Sequence, residues 1–245
     1  MLRPKLTDHL WVFILIAACI AHAEEPSRSV LYIGDSISYG RFGEEIDTAL
    51  REISSRVVTE TSCGSAPINW LPQTGPHAAR YSQTICGFWK KTQAKDLPGD
   101  RSVEHSTPQL LQELDDLHPA VTIVQLGTNI ASRKNPEVFR ETVRMMMADI
   151  LAHGSQCIWI GPPDANSTVV PRNRLSITNR MIQEEATAQG CAFIDTLSFT
   201  HFPGETPACC GEGIHPSPDQ SKRWGDEVAQ RVVPLVTKIM GTNHN

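Results

Sequence analysis

Short β-rich runs alternate with longer helical patterns along this chain, and this alternation is the feature that most limits the fold. Five runs rich in β-branched and aromatic residues are predicted to be strands: 29–33, 57–60, 121–126, 158–160 and 192–195. Apolar residues recur at helical spacing between them, as at Phe42, Ile46 and Leu50. Strands that alternate with helices are typical of βαβ units, whose strands lie parallel in one sheet. The pattern therefore predicts an α/β fold.

One region departs from this alternation. Residues 64–106 are rich in Gly, Pro, Ser and aromatic side chains and show no periodicity, so we predict a long irregular insertion. Loops of this length are usually functional. Its Trp89 is a candidate for contact with substrate, by stacking on a sugar ring, and capping of the sheet is the alternative role.

The length and charge of the chain limit its partners. At 245 residues the chain has room for one domain after an export segment, and 40% hydrophobic residues suffice for a full core. The net charge is −5 and no run of Lys or Arg occurs. Binding to a phosphate backbone needs clustered positive charge, so nucleic acid is not expected as a partner.

The N-terminus is predicted to be an export segment. Arg3 and Lys5 precede an apolar run at 10–20 that is too short to span a bilayer, and Ala21-His22-Ala23 forms a cleavage site. Residues 1–23 would then be a signal peptide and residues 24–245 a single domain. The alternative is a lipoprotein, because the residues before Cys19 resemble a lipidation box, and Cys19 would then carry a lipid anchor. Both interpretations place the protein outside the cytoplasm.

The cysteines agree with an oxidising compartment. Six remain after Cys19: Cys63, Cys86, Cys157, Cys191, Cys209 and Cys210. An even set can form disulfides, and we favour Cys63 with Cys86 and Cys157 with Cys191. The alternative is that some are buried thiols. The adjacent pair at 209 and 210 lacks the spacing of a zinc site, so no metal site is expected. No cofactor is expected either.

Polar residues follow three of the predicted strands. Ser36, in Gly34-Asp35-Ser36, comes directly after the first strand, where residues of a parallel sheet line the ligand crevice. Asn129 follows the third strand and can aim its side-chain amide at a developing oxyanion. Gly64 follows the second strand and can offer a backbone N–H at close approach. We expect a nucleophile and two donors to meet at one edge of the sheet.

A base is predicted near the C-terminus. His215 lies in the run Glu212-Gly213-Ile214-His215 before the last helix and could take the proton of Ser36. Glu212 could fold back onto the other ring nitrogen and stabilise the imidazolium. Asp164 follows the fourth strand, so it is expected to face the same crevice and is a candidate for contact with substrate, with stabilisation of a turn as the alternative.

This ordered set of motifs resembles the SGNH hydrolase (GDSL-like) family. The likeness runs from Gly-Asp-Ser, through a lone Gly and Gly-Thr-Asn, to an acid three residues before His, and it covers nearly the whole mature chain. It implies Ser36 as nucleophile, an oxyanion hole of Ser36, Gly64 and Asn129, and a triad completed by Glu212 and His215. It also implies a flavodoxin-like three-layer α/β/α sandwich with five parallel strands. The chain departs from the family at Glu212, where the family has Asp.

The resemblance together with the export segment implies an exported serine esterase. The expected substrates are small acyl esters, and an acetylated glycan carrying O-acetyl groups is the most specific expectation, because the insertion has no long apolar stretch to shelter an acyl chain. Two alternatives stay open. One is a lysophospholipase or thioesterase with the same machinery, and the other is a carbohydrate-binding protein without catalysis.

Overall fold

The computed structural model describes residues 28–72, 83–84, 87–98, 105–202 and 213–242. The predictions for residues 1–23 and for Cys19, Cys86 and Glu212 lie outside the described residues. In chain order the elements are β1 (Ser29–Gly34), α1 (Arg41–Ile53), β2 (Arg56–Ser62), α2 (Pro67–Trp70), β3 (Gln83–Thr84), β4 (Phe88–Lys91), β5 (Asp96–Pro98), β6 (His105–Ser106), α3 (Leu110–Leu117), β7 (Val121–Gln125), α4 (Thr128–Ala131), α5 (Arg140–Ala152), β8 (Gln156–Ile160), α6 (Arg172–Gln189), β9 (Ala192–Ile194) and α7 (Pro218–Thr242). Short 3₁₀ helices cover Pro136–Phe139 and Thr196–Ser198.

The central sheet contains the five strands that the sequence predicts. Strands β2, β1, β7, β8 and β9 lie side by side in this order and are all parallel. Counted along the chain without the inserted strands, the order is 2-1-3-4-5, which is that of flavodoxin-like folds. The predicted α/β class and parallel arrangement are therefore confirmed.

The strand count needs a correction, because the sheet has seven strands and is mixed rather than purely parallel. Strand β4 pairs antiparallel with β2, and β5 pairs antiparallel with β4 at the edge. Both come from the segment 64–106, which the sequence analysis predicts to be irregular. Four residues, Phe-Trp-Lys-Lys, are too few to show the alternation that identifies a strand. The pairing of β4 thus depends on contacts with distant residues.

Two lysines of β4 contact acidic side chains on opposite faces of the sheet. Successive side chains of a strand point to opposite faces. Nζ of Lys90 contacts the buried carboxyl group of Glu60 in β2 and also lies 3.1 Å from Oε2 of Glu113 in α3. On the other face, Nζ of Lys91 lies 2.7 Å from Oδ2 of buried Asp47 in α1. Each lysine therefore contacts a buried carboxyl group, and Lys91 is the counter-charge of Asp47.

Two hydrophobic cores lie on the two sides of the sheet. In β1, Val30 and Tyr32 point to one core and Leu31 and Ile33 point to the other. Residues of α1 and α7 complete the first core, whereas residues of α3, α5 and α6 complete the second. These helices and the sheet make the three predicted layers. Within the described ranges, no helix has both the length and the apolar character needed to cross a membrane.

Candidate active site

Ser36 lies at the carboxyl end of β1, in a tight turn that leads into α1. Oδ1 of Asp35 accepts a hydrogen bond of 2.9 Å from the backbone N of Ile37. The backbone O of Asp35 accepts another of 3.1 Å from the N of Tyr39. These bonds close the turn at residues 36–39 and leave Ser36 half-buried at the edge of the sheet. The carboxylate of Asp35 is itself fully buried and serves this turn.

A network behind the turn explains the glycine before Asp35. Oγ of Ser38 donates to Oε1 of Gln125 at 2.7 Å and lies 2.8 Å from the hydroxyl of Tyr32. Because Ser38 gives its one hydroxyl proton to Gln125, the phenol of Tyr32 is the donor to Ser38. Burial also raises the pKa of Tyr32. A Cβ at Gly34 would lie 2.2 Å from Cβ of Ser38. Ser38 can therefore reach Gln125 only because residue 34 has no side chain.

His215 contacts the nucleophile candidate directly. Its Nε2 lies 2.9 Å from Oγ of Ser36, which is within the reach of a general base. The preceding loop is fixed at Gly213, whose φ is +72° and whose backbone O accepts a hydrogen bond of 2.7 Å from the N of Asn166. Ile214 packs against the small cluster that contains Ala165. These contacts orient the loop so that the imidazole faces Ser36.

The role of Glu212 as the acid that orients His215 stays a prediction. Glu212 lies outside the described residues, so the structure describes no contact between its carboxylate and His215.

Asn129 joins the turn of Ser36 to the loop that carries Gly64. Its Nδ2 donates a hydrogen bond of 2.9 Å to the backbone O of Ser65 and a longer one of 3.4 Å to Oδ2 of Asp35. Gly64 is exposed and has a φ of +74°, in the turn that follows β2. Three strand ends therefore meet at one point, as the spacing of the motifs predicts. The roles of Gly64 and Asn129 as oxyanion donors stay predictions.

Ser65 is a residue of this site that the sequence analysis missed. Its side chain is fully buried, its backbone O accepts from Asn129, and its Oγ accepts a hydrogen bond of 3.1 Å from Nε1 of Trp70. No signal in the run Gly64-Ser65-Ala66 separates Ser65 from an ordinary turn residue. The contact uses a backbone oxygen, which every residue type carries.

Asp164 and Trp89, the two candidates for substrate contact, both form hydrogen bonds within the protein. Oδ2 of Asp164 accepts hydrogen bonds from the N of Phe202 at 2.8 Å and from Nη2 of Arg172 at 2.7 Å. Trp89 is 6% exposed, and its Nε1 donates to Oδ1 of Asp96 at 2.8 Å. Little of the ring of Trp89 is therefore open to a sugar. Contact of either residue with substrate stays a prediction.

Cys157 and Cys191 form a disulfide between the start of β8 and the residue before β9. Cys63 is buried beside the loop of Gly64, and its predicted partner Cys86 lies outside the described residues. The pairing of Cys63 with Cys86 thus stays a prediction.

Comparison with known proteins gives one family. A model of the GDSL-like Lipase/Acylhydrolase family matches residues 32–223. Protein BcsX of Komagataeibacter xylinus is 23% identical over 225 residues, which are 86% of this chain and 79% of that protein. Among solved structures, TesA has a TM-score of 0.56 at 16% identity and covers 84% of this chain and 99% of its own.

Two further structures have the same fold. The lipase/acylhydrolase from Enterococcus faecalis has a TM-score of 0.52 at 16% identity, over 84% of this chain and 96% of its own. A GDSL-like lipase from Bacteroides thetaiotaomicron has a TM-score of 0.53 at 13% identity, over 85% of this chain and 88% of its own. At these identities the structural likeness concerns the fold alone, whereas the family model spans most of the sequence, from β1 into α7. The chain belongs to the GDSL-like lipase/acylhydrolase (SGNH hydrolase) family, a family of ester hydrolases.

Proposed function

We propose that this protein is an exported serine esterase in which Ser36 is the nucleophile and His215 the general base. The hydrogen bond of 2.9 Å between Oγ of Ser36 and Nε2 of His215 carries the proposal. A serine is a weak nucleophile at neutral pH unless an adjacent base removes its proton as it attacks. Membership of an ester hydrolase family supports the same chemistry.

The proposed reaction has two steps. Oγ of Ser36 attacks the carbonyl carbon of the ester while Nε2 of His215 takes the hydroxyl proton, and the bond to the alcohol then breaks as His215 returns that proton to the leaving oxygen. The acyl group is now bound to Ser36. Water attacks this acyl-enzyme while His215 takes one of its protons, and the bond between the acyl carbon and Oγ then breaks as His215 gives that proton to Ser36, which releases the acid. The two steps together need no reactant besides the ester and water.

Three donors would stabilise the oxyanion of each tetrahedral intermediate: the backbone N–H of Ser36, the N–H of Gly64 and the amide of Asn129. Loss of one such donor typically costs about 10²–10³ in rate. The amide of Asn129 has a short bond to Ser65 and a long one of 3.4 Å to Asp35. We propose that the second N–H turns from Asp35 to the oxyanion, because the long bond is the weaker of the two.

Glu212 is proposed as the residue that orients His215. A carboxylate on the second ring nitrogen would fix the tautomer and stabilise the imidazolium that forms during attack. Its side chain is one methylene longer than the Asp of the family, and a small backbone shift would accommodate the difference.

The proposed substrates are small acyl esters, with O-acetyl groups on a polysaccharide as the specific case. The segment 64–106 contains no long apolar stretch that would shelter a fatty acyl chain. An exported enzyme would also meet polysaccharides of the cell envelope or of the surroundings. Both arguments favour a short acyl group on a polar carrier.

Export rests on the N-terminal sequence. Residues 1–23 would be removed as a signal peptide and leave a single domain at 24–245, or Cys19 would carry a lipid. The disulfide between Cys157 and Cys191 supports an oxidising compartment, because such bonds are rare in the cytosol.

Two measurements test the proposal. A fluorophosphonate probe should label Ser36, and a binding protein without catalysis would not be labelled. Acetate release should then be measured from acetylated peptidoglycan, xylan and alginate, beside p-nitrophenyl esters from acetyl to dodecanoyl. Acetate from at least one polymer and a preference for the acetyl ester are expected. Activity that rises with chain length and no acetate from any polymer would instead indicate a lysophospholipase or thioesterase.

A further inference from the structure

A cleft of about 360 Å³ lies beside the turn of Ser36, between α1 and the hairpin of β4 and β5. It is lined by Tyr39, Glu44, Thr48, Trp89, Lys91 and Asp96. This volume is within the range of sites for small ligands. Half of the lining belongs to the hairpin, so the cleft exists because the inserted segment pairs with β2.

The cleft is close to the nucleophile candidate. Tyr39 is the last residue of the turn that begins at Ser36, and its N donates to the O of Asp35 at 3.1 Å. Three residues of chain span at most about 11 Å, so the Cα atoms of Ser36 and Tyr39 are no farther apart than this. A polymer that occupies the cleft with one unit can therefore place a neighbouring unit at Ser36.

The lining has the groups that bind a sugar. The ring of Tyr39 offers an apolar surface, and the carboxylates of Glu44 and Asp96 can accept hydrogen bonds from hydroxyl groups. Trp89 fixes Asp96, because its Nε1 donates to Oδ1 at 2.8 Å. The second oxygen of Asp96 is then held in position to accept from a ligand.

The charges of the lining disfavour an acidic ligand. Lys91 is the only base among the described residues that line the cleft, and its Nζ is already bound by Oδ2 of Asp47 at 2.7 Å. The same Nζ lies 5.9 Å from the ring centre of Trp89. Glu44 is paired with the exposed Arg41, whose Nη1 lies 3.4 Å from its Oε2. Asp96 is therefore the lining carboxylate that faces the ligand with no cation paired to it among the described residues. Uronate groups would be repelled, whereas neutral hydroxyl groups would be bound.

We propose that this cleft is a subsite for a neutral glycan chain, which holds the sugar next to the acetylated one presented to Ser36. Tyr39, Glu44 and Asp96 contact the glycan, and Trp89 and Lys91 are positioning residues. The inference rests on the proposed esterase function and adds the class of carrier, a neutral rather than a uronate polysaccharide.

The test compares two acetylated polymers with a small ester. The specificity constant kcat/KM is measured on uronate-free acetylated xylan and on acetylated alginate, and each value is divided by that on p-nitrophenyl acetate. In the natural protein, the ratio for acetylated xylan should exceed the ratio for acetylated alginate at least about tenfold. The double variant E44Q/D96N should lose about tenfold in the xylan ratio, because hydrogen bonds to charged groups are lost. The matched control E52Q, on the exposed surface of α1 outside the cleft, should keep the natural ratio.

Trp89 has its own test. W89F keeps the ring but removes the N–H that fixes Asp96, so we expect a higher KM for acetylated xylan with little change in kcat. Near-UV circular dichroism checks that each variant is folded.

Equal activity on both polymers, or a xylan ratio unchanged in the double variant, would overturn the subsite. Absence of p-nitrophenyl acetate hydrolysis by the natural protein would instead overturn the esterase function itself.

Discussion

Nε2 of His215 lies 2.9 Å from Oγ of Ser36, although 179 positions of sequence separate the two residues. Ser36 precedes α1 and His215 precedes α7, and these two helices pack against each other on the same side of the sheet. The helix pair therefore sets the distance between the two side chains. The candidate site forms only when both ends of the domain are folded together.

The contact predicts the effect of removing either partner. S36A and H215A should each reduce p-nitrophenyl acetate hydrolysis to the background rate, because one loses the nucleophile and the other its base. Both residues are half-buried, so the variants should unfold in urea near the natural midpoint. Initial rates and urea curves on the same preparations check this. Near-normal turnover by folded S36A would contradict the proposed mechanism.

Glu212 should matter less than either of these residues. E212A removes the proposed orienting acid but leaves Ser36 and His215 in contact, so we expect a lower kcat with measurable residual activity. The variant E212D restores a carboxylate and should recover part of the loss. Rates of p-nitrophenyl acetate hydrolysis by the three proteins decide this. An E212A enzyme as active as the natural one would exclude Glu212 from the triad.

Asn129 is expected to act on the rate rather than on substrate binding. N129A should lower kcat by about 10²–10³ with a small change in KM, because an oxyanion donor acts mainly in the transition state. The side chain also bonds to Ser65, so a thermal unfolding curve is needed beside the kinetics. N173A, an exposed change at the start of α6, is the matched control and should change neither the kinetic constants nor the unfolding curve. A loss confined to KM would argue against the oxyanion role.

Gly34 should be intolerant of a side chain. In G34A the new Cβ would clash with Ser38 and displace the turn that carries Ser36, so we expect a loss of about 1–3 kcal/mol in the free energy of unfolding and a lower kcat. G40A is the control, because a Cβ at Gly40 would have no atom within 4 Å. Chemical denaturation and ester hydrolysis of both variants test the pair. Equal behaviour of G34A and G40A would refute this account of the turn.

Much of the fold and of the candidate site can be predicted from local sequence signals. The five parallel strands have apolar runs, and Ser36, Gly64 and Asn129 follow three of them, where a parallel sheet collects its ligand residues. His215 needed a different argument, since only its order relative to Ser36 and Asn129 marks it. The resemblance to the family supplied that order.

The inserted strand β4 could not be predicted in this way. From the sequence alone, its lysines are indistinguishable from exposed residues of a loop, because the sequence does not show that Lys90 contacts Glu60 and that Lys91 contacts Asp47. Each pair joins residues that are far apart in the chain, and a buried charge is recognised only when its partner is known. The contact of Asn129 with Ser65 was equally hidden, since it uses a backbone oxygen.

The buried carboxyl group of Glu60 predicts how stability depends on pH. Burial, and next the charge of Glu113, raises the pKa of Glu60 to about 8 from the usual 4.5, although Lys90 opposes the shift. Between these values the folded state binds more protons than the unfolded state, so the contribution of Glu60 to stability is full below about pH 4.5 and is lost as the pH rises through 8.

The variant E60Q tests this dependence, because it keeps the size of the side chain and removes its titration. The natural protein should lose stability relative to E60Q as the pH rises from about 5 to 9, with a slope of at most about 1.4 kcal/mol per pH unit. Urea unfolding at several pH values measures the difference. E52Q, an exposed change, should follow the natural protein at every pH. A difference that is flat or rises with pH would mean that Glu60 is ionised in the folded protein, with Lys90 as its counter-ion.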